Sequence, residues 1–158
     1  MYNKIKNVIR KEDDTVKLFH KTPKLEDFPE LDTLQVTVVG QVYYEGSFEK
    51  FKKKNPLFKK DYPKDGSYIY KHVYKEAKPE LIPEKNGSIQ VAYGGMLIGY
   101  VASEQTAEVK RILDGPHKLA ARIYGGEFKV WFENSQEWFY SETGIVTEYT
   151  LTFPKRYR

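Results

Sequence analysis

Seventeen residues, FEKFKKKNPLFKKDYPK at 48–64, hold seven lysines, four aromatic rings and two acids. A groove that tracks a single nucleic-acid strand needs cations spaced like phosphates and exposed rings on which any base stacks, each stack contributing about 1–3 kcal/mol. Lys50, Lys52, Lys53, Lys54, Lys59, Lys60 and Lys64, interleaved with Phe48, Phe51, Phe58 and Tyr62, meet both needs by type and spacing. Two arrangements of the rings are open: outward as stacking surfaces, or inward as pins that hold a solvated loop to the domain. Seven like charges in one loop repel one another unless an anion relieves them, which favours a binding role for the lysines. Lys155, Arg156 and Arg158 either extend this patch or form a charged tail.

Other chemistries find weaker support. His20, His72 and His117 are scattered without paired-ligand spacing, so no metal is expected. Asp114 followed by Glu127 and Lys129 in EFKVWF imitates the acid and Glu-x-Lys that hold a divalent cation in many endonucleases. Glu-x-Lys also occurs at Glu76 and Glu108, and Asp114 fits a helix stop. Gly94-Gly95 and Gly125-Gly126 read as hairpin turns, not phosphate loops. No catalytic residue and no cofactor is expected.

With 158 residues, 40% hydrophobic and 15% aromatic, the chain is long and apolar enough for one compact domain. The net charge of +4 is modest, so it matters only where concentrated. The absence of cysteine excludes disulfides, thiolate metal sites and a cysteine nucleophile. Charges interrupt every apolar run of MYNKIKNVIRKEDD, and no stretch reaches transmembrane length; the expected location is cytoplasmic, with no membrane contact.

The elements that must position these residues read as mainly β. Residues 1–33 form an arm that packs on a domain spanning 34–158. In the arm, Ile5, Val8 and Ile9 have helical spacing and 15–19 suits a short edge strand. LQVTVVGQVYY at 34–44 reads as one strand bent at Gly40, which would send Tyr43 and Tyr44 to opposite faces. The lysine-rich stretch, broken by Asn55-Pro56, Tyr62-Pro63 and Asp65-Gly66, reads as a loop with at most short helical pieces. SYIYKHVYKEA at 67–77 alternates like one strand with an aromatic face. Residues 89–93 and 96–101 form a hairpin on Gly94-Gly95. Ser103 then N-caps a helix whose stripe is Ala107, Ile112 and either Val109 or Leu113, stopped at Gly115-Pro116. LAARIYGG, EFKVWFE, EWFYSE and GIVTEYTLTF are expected as further short strands, divided by Gly-Gly, Asn-Ser and Thr-Gly turns. Many short strands with one or two short helices indicate a small, strongly bent β-barrel.

Two segments carry a family resemblance. VTVVGQVYYEG at 36–46 and SIQVAYGGMLIGYVASEQTAEVKRILD at 88–114 resemble the first strand and the middle section of HIRAN domains, over roughly residues 35–132. The resemblance implies an OB- or SH3-like barrel that binds single-stranded DNA, in the best understood members by capturing a free 3′ end. It implies a site at Tyr43, Tyr44, the loop 83–87 with Lys85, Tyr100, and an aromatic at Tyr124 or Phe128. This chain has Val42 where a basic residue often stands, Pro83-Glu84-Lys85-Asn86-Gly87 in place of the family's Asn-Pro-Tyr-Asp loop, and Ser103 where a lysine can occur. The missing Tyr-Asp pair removes the acceptor that an end-reading pocket needs for a terminal hydroxyl.

The expected function is a non-enzymatic nucleic-acid-binding module for single-stranded DNA, with RNA also open. An alternative is a phage or mobile-element protein that docks on a host nucleoprotein machine and inhibits it; a metal-dependent nuclease comes third. Edge strands of an incompletely closed barrel would permit pairing between copies.

Overall fold

The computed structural model describes residues 23–155, without the side chains of Val42, Tyr43 and Glu45. The turn at Ile5, Val8 and Ile9, the strand over 15–19, His20, Arg156 and Arg158 lie outside the described residues.

The chain is mainly β and antiparallel, with one short α-helix and several 3-10 turns among the described residues. Strands β1 (Leu31–Val36), β4 (Ile69–Tyr70), β9 (Lys118–Phe132) and β10 (Glu137–Pro154) form one sheet in the order β1-β10-β9-β4. Strands β2 (Val38–Val39), β6 (Pro79–Pro83), β7 (Ile89–Tyr93) and β8 (Met96–Val101) form a second in the order β2-β8-β7-β6. A ribbon of β3 (Lys52–Lys54) and β5 (His72–Tyr74) completes the strands among the described residues. Helix α1 is Thr106–Leu113.

Alternation explains the core. Tyr149, Leu151 and Phe153 of β10 and Ile123 of β9 face Ile89, Val91 and Tyr93 of β7 and Ile98 and Val101 of β8, closed by Val109 and Ile112 of α1. The Tyr149 hydroxyl, wholly buried, donates to the Ala92 carbonyl at 2.7 Å and ties the two sheets together. Burial pushes that phenol well above the ordinary tyrosine range.

Several expectations need correction. The segment read as one strand over 34–44 divides at Thr37, β1 ending at Val36 in one sheet and β2 (Val38–Val39) joining the other, and Gly40, with a φ of 77°, leads into a 3-10 segment over Gln41–Phe51. Tyr43 and Tyr44 are therefore not strand residues, and the opposite-faces expectation does not apply to them. Residues 67–77 are not one strand: the Lys71 amide donates to the Glu127 carbonyl at 2.8 Å, and the chain changes partner there, β4 joining β9 while β5 joins β3. The strand β3 was not legible, because Lys52–Lys54 lack apolar alternation. Ser103 makes no side-chain cap; it opens a 3-10 turn over Ser103–Gln105. The Gln105 side chain instead binds the Thr37 amide at 2.6 Å and the Gln35 carbonyl at 3.0 Å, fastening α1 to the junction of β1 and β2. Val109 and Ile112 form the buried stripe, whereas Ala107 is exposed.

The last four short strands are in fact two long ones. Asn134-Ser135 sits in the one turn between them, while Gly125-Gly126 and Thr143-Gly144 lie inside the hairpin. The register passes from Tyr124↔Val146 to Gly126↔Thr143, so β10 carries one extra residue opposite Gly125. Gly125 has a φ of 126°, and a Cβ there would run into the Gly144 carbonyl oxygen. Gly126, at φ 91°, has open space around it. Urea denaturation should show Gly125→Ala costing about 2–4 kcal/mol, through clash and backbone strain together. Gly126→Ala should cost only the conformational part, about 1–2 kcal/mol.

Candidate functional site

Beyond the bulge, the hairpin tip has two faces. Directly opposed residues share a face, so Trp131/Trp138, Lys129/Tyr140 and Glu127/Glu142 lie on one side, and Phe132, Val130/Phe139 and Phe128/Ser141 on the other. The first side continues the core face of the sheet, and the lysine-rich loop lies over it.

Asn55 sets the start of that loop. Its side chain accepts from the Leu57 amide at 3.1 Å, capping the 3-10 turn Pro56–Lys59, and donates to the Tyr70 carbonyl at 2.9 Å. Phe58 packs edge-on against Tyr140 with ring centroids 6.0 Å apart. Farther on, the Trp138 indole donates to Asp61 at 2.9 Å, and Lys64 lies 3.2 Å from the same carboxylate and 4.5 Å from the centre of the Trp131 ring. The Trp138 hydrogen bond, then Lys64, holds the Asp61 carboxyl below its ordinary range.

Lys129 lies beneath this clamp. It is 2% exposed, and its ammonium donates to the Lys60 carbonyl and stands 4.0 Å from the centre of the Trp138 ring. Burial pushes its pKa down, partly opposed by Asp61. Lys129 was expected only as part of a nuclease-like triplet with Asp114 and Glu127. It is instead bound to the loop, and Glu127 pairs with Lys71 at 3.4 Å. Among the described residues no cluster of three or more His, Asp or Glu is placed to hold a metal.

The clamp leaves a cleft of about 840 Å³, within the size range of ligand sites. Lys54, Lys59, Lys60, Lys71 and Lys129 line it with His72, and among the described residues Asp61 is the sole acid on its wall; Phe58, Trp138 and Tyr140 supply rings. Among the described residues no carboxylate lies within ion-pair distance of Lys54, Lys59 or Lys60. Asp61 is engaged as above, and Asp65 accepts from Ser67. The cleft thus concentrates positive field on a wall bearing the exposed ring of Tyr140, 59% accessible; Tyr62 of the lysine-rich loop, outside the cleft lining, is 56% accessible. Burial, then Lys52 and Lys71, pushes the His72 imidazole down.

The expected site residues divide. Lys54, Lys59 and Lys60 come together at the cleft. Lys52 pairs with Glu49 at 3.2 Å and borders a separate hollow at the bulge; Lys53 alternates away from both neighbours in β3; Lys50 is exposed on the 3-10 segment. Two rings expected as candidates for stacking are pins instead: Phe48 is in the core, and Phe51 packs on Tyr93 at 5.0 Å. Tyr44 and Tyr100 lie elsewhere, where burial, then Glu84 and Tyr44, pushes the Tyr100 hydroxyl up. Tyr100 borders a hollow of about 350 Å³ with Asn86, Gly87, Ser88, Ser103 and Thr106; Lys85 is exposed on the adjoining turn. Sequence reasoning missed Lys71, Trp138 and Tyr140 as cleft residues. A signal existed in the Trp138–Tyr140 alternation, whose parity differs from that of Tyr149, Leu151 and Phe153.

Among the described residues no helix is long and apolar enough to cross a membrane. Comparison with protein-family models, with curated proteins and with solved structures gives no match.

Lys129 makes stability depend on alkaline pH. The unfolded chain keeps that proton up to the ordinary value of 10.5, whereas the folded chain releases it earlier, so this residue's contribution to stability rises with pH between the lowered value and 10.5. Paired denaturation curves of wild type and Lys129→Met should show that rise in the wild type relative to the variant. Near neutral pH the two should differ by about 1 kcal/mol or less, because an apolar replacement removes a desolvation cost along with a hydrogen bond.

Proposed function

We propose that the protein is a non-enzymatic binding module for single-stranded nucleic acid, and that the cleft over the β9–β10 tip is where the strand runs. The observation that carries this reading is the convergence of Lys54, Lys59, Lys60 and Lys71, three of them without a carboxylate partner among the described residues, on a wall shared with Phe58, Trp138 and Tyr140. Phosphates neutralise the ammonium groups and release counterions; bases stack on Tyr140 and Tyr62. No step of bond making or breaking is assigned to the chain.

The resemblance to HIRAN domains adds a second contact. Asn86, Gly87, Ser88, Tyr100 and Ser103 line the smaller hollow, and these positions correspond to the region where that family takes its DNA end. We assign this hollow a subsidiary role in holding one nucleotide, since the chain lacks the family's Tyr-Asp pair there.

Titration of a labelled oligothymidylate at several salt concentrations tests the reading. Lys54→Gln, Lys59→Gln and Lys60→Gln should each lower the slope of log affinity against log salt by about 0.7, and the triple glutamate variant should abolish binding with the fold intact. Lys52→Gln and Lys53→Gln should change the slope far less. Equal slopes for all five variants would remove the cleft from consideration.

His72 adds a pH signature. A phosphate in the cleft favours the protonated imidazole, so binding takes up a proton and affinity rises as pH falls from 7 toward the lowered value of His72. His72→Gln should flatten that dependence; an unaltered pH profile in the variant would show that another group is responsible.

A further inference from the structure

Among the described residues the outer edge of β10 is open along most of its length. Of its eighteen residues, β1 pairs only with 149–154, and the Gln41 side chain caps the Ile145 carbonyl at 2.6 Å. Between the turn that ends at Gln136 and the bulge at Gly144 lies a regular stretch, 137–143, whose residues are all exposed except half-buried Trp138. An exposed edge of this kind is a template for another strand.

The direction of its free hydrogen-bonding groups follows from the far side of β9. The Glu127 carbonyl points away from β10, because it accepts from Lys71. Glu127, Lys129 and Trp131 therefore turn their backbone groups toward β4, and their opposite numbers Glu142, Tyr140 and Trp138 turn theirs outward. Those three positions are symmetric about Tyr140, the midpoint of the stretch.

We infer that two copies of the chain pair antiparallel along 137–143, about a twofold axis through Tyr140. In that register Tyr140 exchanges both hydrogen bonds with its counterpart, and Trp138 of each copy exchanges them with Glu142 of the other. Glu137 comes opposite Thr143 and Phe139 opposite Ser141, so no like charges face each other directly. Centring on Glu142 would oppose two glutamates, and centring on Trp138 would run into the turn. Phe139, 47% exposed and stacked on Phe132 at 5.3 Å, would extend its apolar face across the junction.

The pairing has a functional consequence that rests on the cleft reading above. A twofold axis normal to the sheet keeps the same face upward in both copies, so the two basic clefts open side by side with Tyr140 of each at the dyad. One strand would then pass from one cleft to the other, and the binding footprint would double.

Sedimentation velocity of the full chain over a concentration series, without nucleic acid, tests the pairing. A monomer–dimer equilibrium is expected. Thr143→Glu places two glutamates opposite Glu137 residues and should weaken it by about tenfold, and adding Glu137→Lys in the same chain should restore it. Both positions are exposed, so the thermal midpoint should hardly change. A monomer at every concentration, or a dimer indifferent to Thr143→Glu, overturns the inference. A monomer that still binds oligothymidylate with a steep salt slope overturns the pairing and leaves the cleft standing. A dimer that follows the charge swap without binding any strand supports the pairing and overturns the cleft reading alone.

Discussion

One extra residue in β10, opposite Gly125, determines how the rest of the molecule is arranged. Without it, the odd-numbered positions that bury Tyr149, Leu151 and Phe153 would also turn Phe139 and Ser141 toward the loop side. With it, the inward parity switches, and Trp138 and Tyr140 continue the core face of the sheet beyond the core itself. A single hairpin thereby serves two environments: an apolar interior at its base and a ring-lined platform at its tip. The bulge can form because Gly125 and Gly126 accept positive φ, and because Gly125 has no Cβ where the Gly144 carbonyl lies.

The platform determines what the lysine-rich loop can do. Left to itself, a loop with so many like charges would spread. Trp138, through Asp61, and Lys129, through the Lys60 carbonyl, fix its course from beneath. The bond from Lys129 is costly, since burial disfavours the charge it carries, yet it directs a carbonyl inward while the Lys59 and Lys60 side chains remain exposed. The positive field of the cleft is therefore a property of backbone placement as much as of composition. This separates Lys54, Lys59 and Lys60 from Lys50, Lys52 and Lys53, which have the same chemistry but different neighbours.

Much of the fold was legible where a pattern had one simple cause. Ile89, Val91 and Tyr93 alternate around a Gly-Gly turn, and Val109 and Ile112 have helical spacing; each forms as its period requires. Legibility failed where two causes share a signal. Glycine pairs mark turns and bulges alike, so Gly125-Gly126 was read as the end of a strand that runs on. Lys52–Lys54 form a strand because His72–Tyr74 offers a partner, which no local propensity reports. The lysine-rich stretch was legible as a charged feature, but its three phenylalanines were not separable by type: Phe48 and Phe51 go inward, whereas Phe58 lines the cleft. Trp138 and Tyr140 reach the cleft only through long-range register.

A nucleic-acid strand in the cleft held over the hairpin tip would cover the backbone on both of its walls. Amide hydrogen exchange of the full chain, with and without a saturating oligothymidylate at low salt, tests it most directly. Slowed exchange concentrated at 54–61, 70–72 and 138–142 is expected. Unchanged exchange there, with protection limited to the turn at 84–88 and the strand around Tyr100, would contradict it.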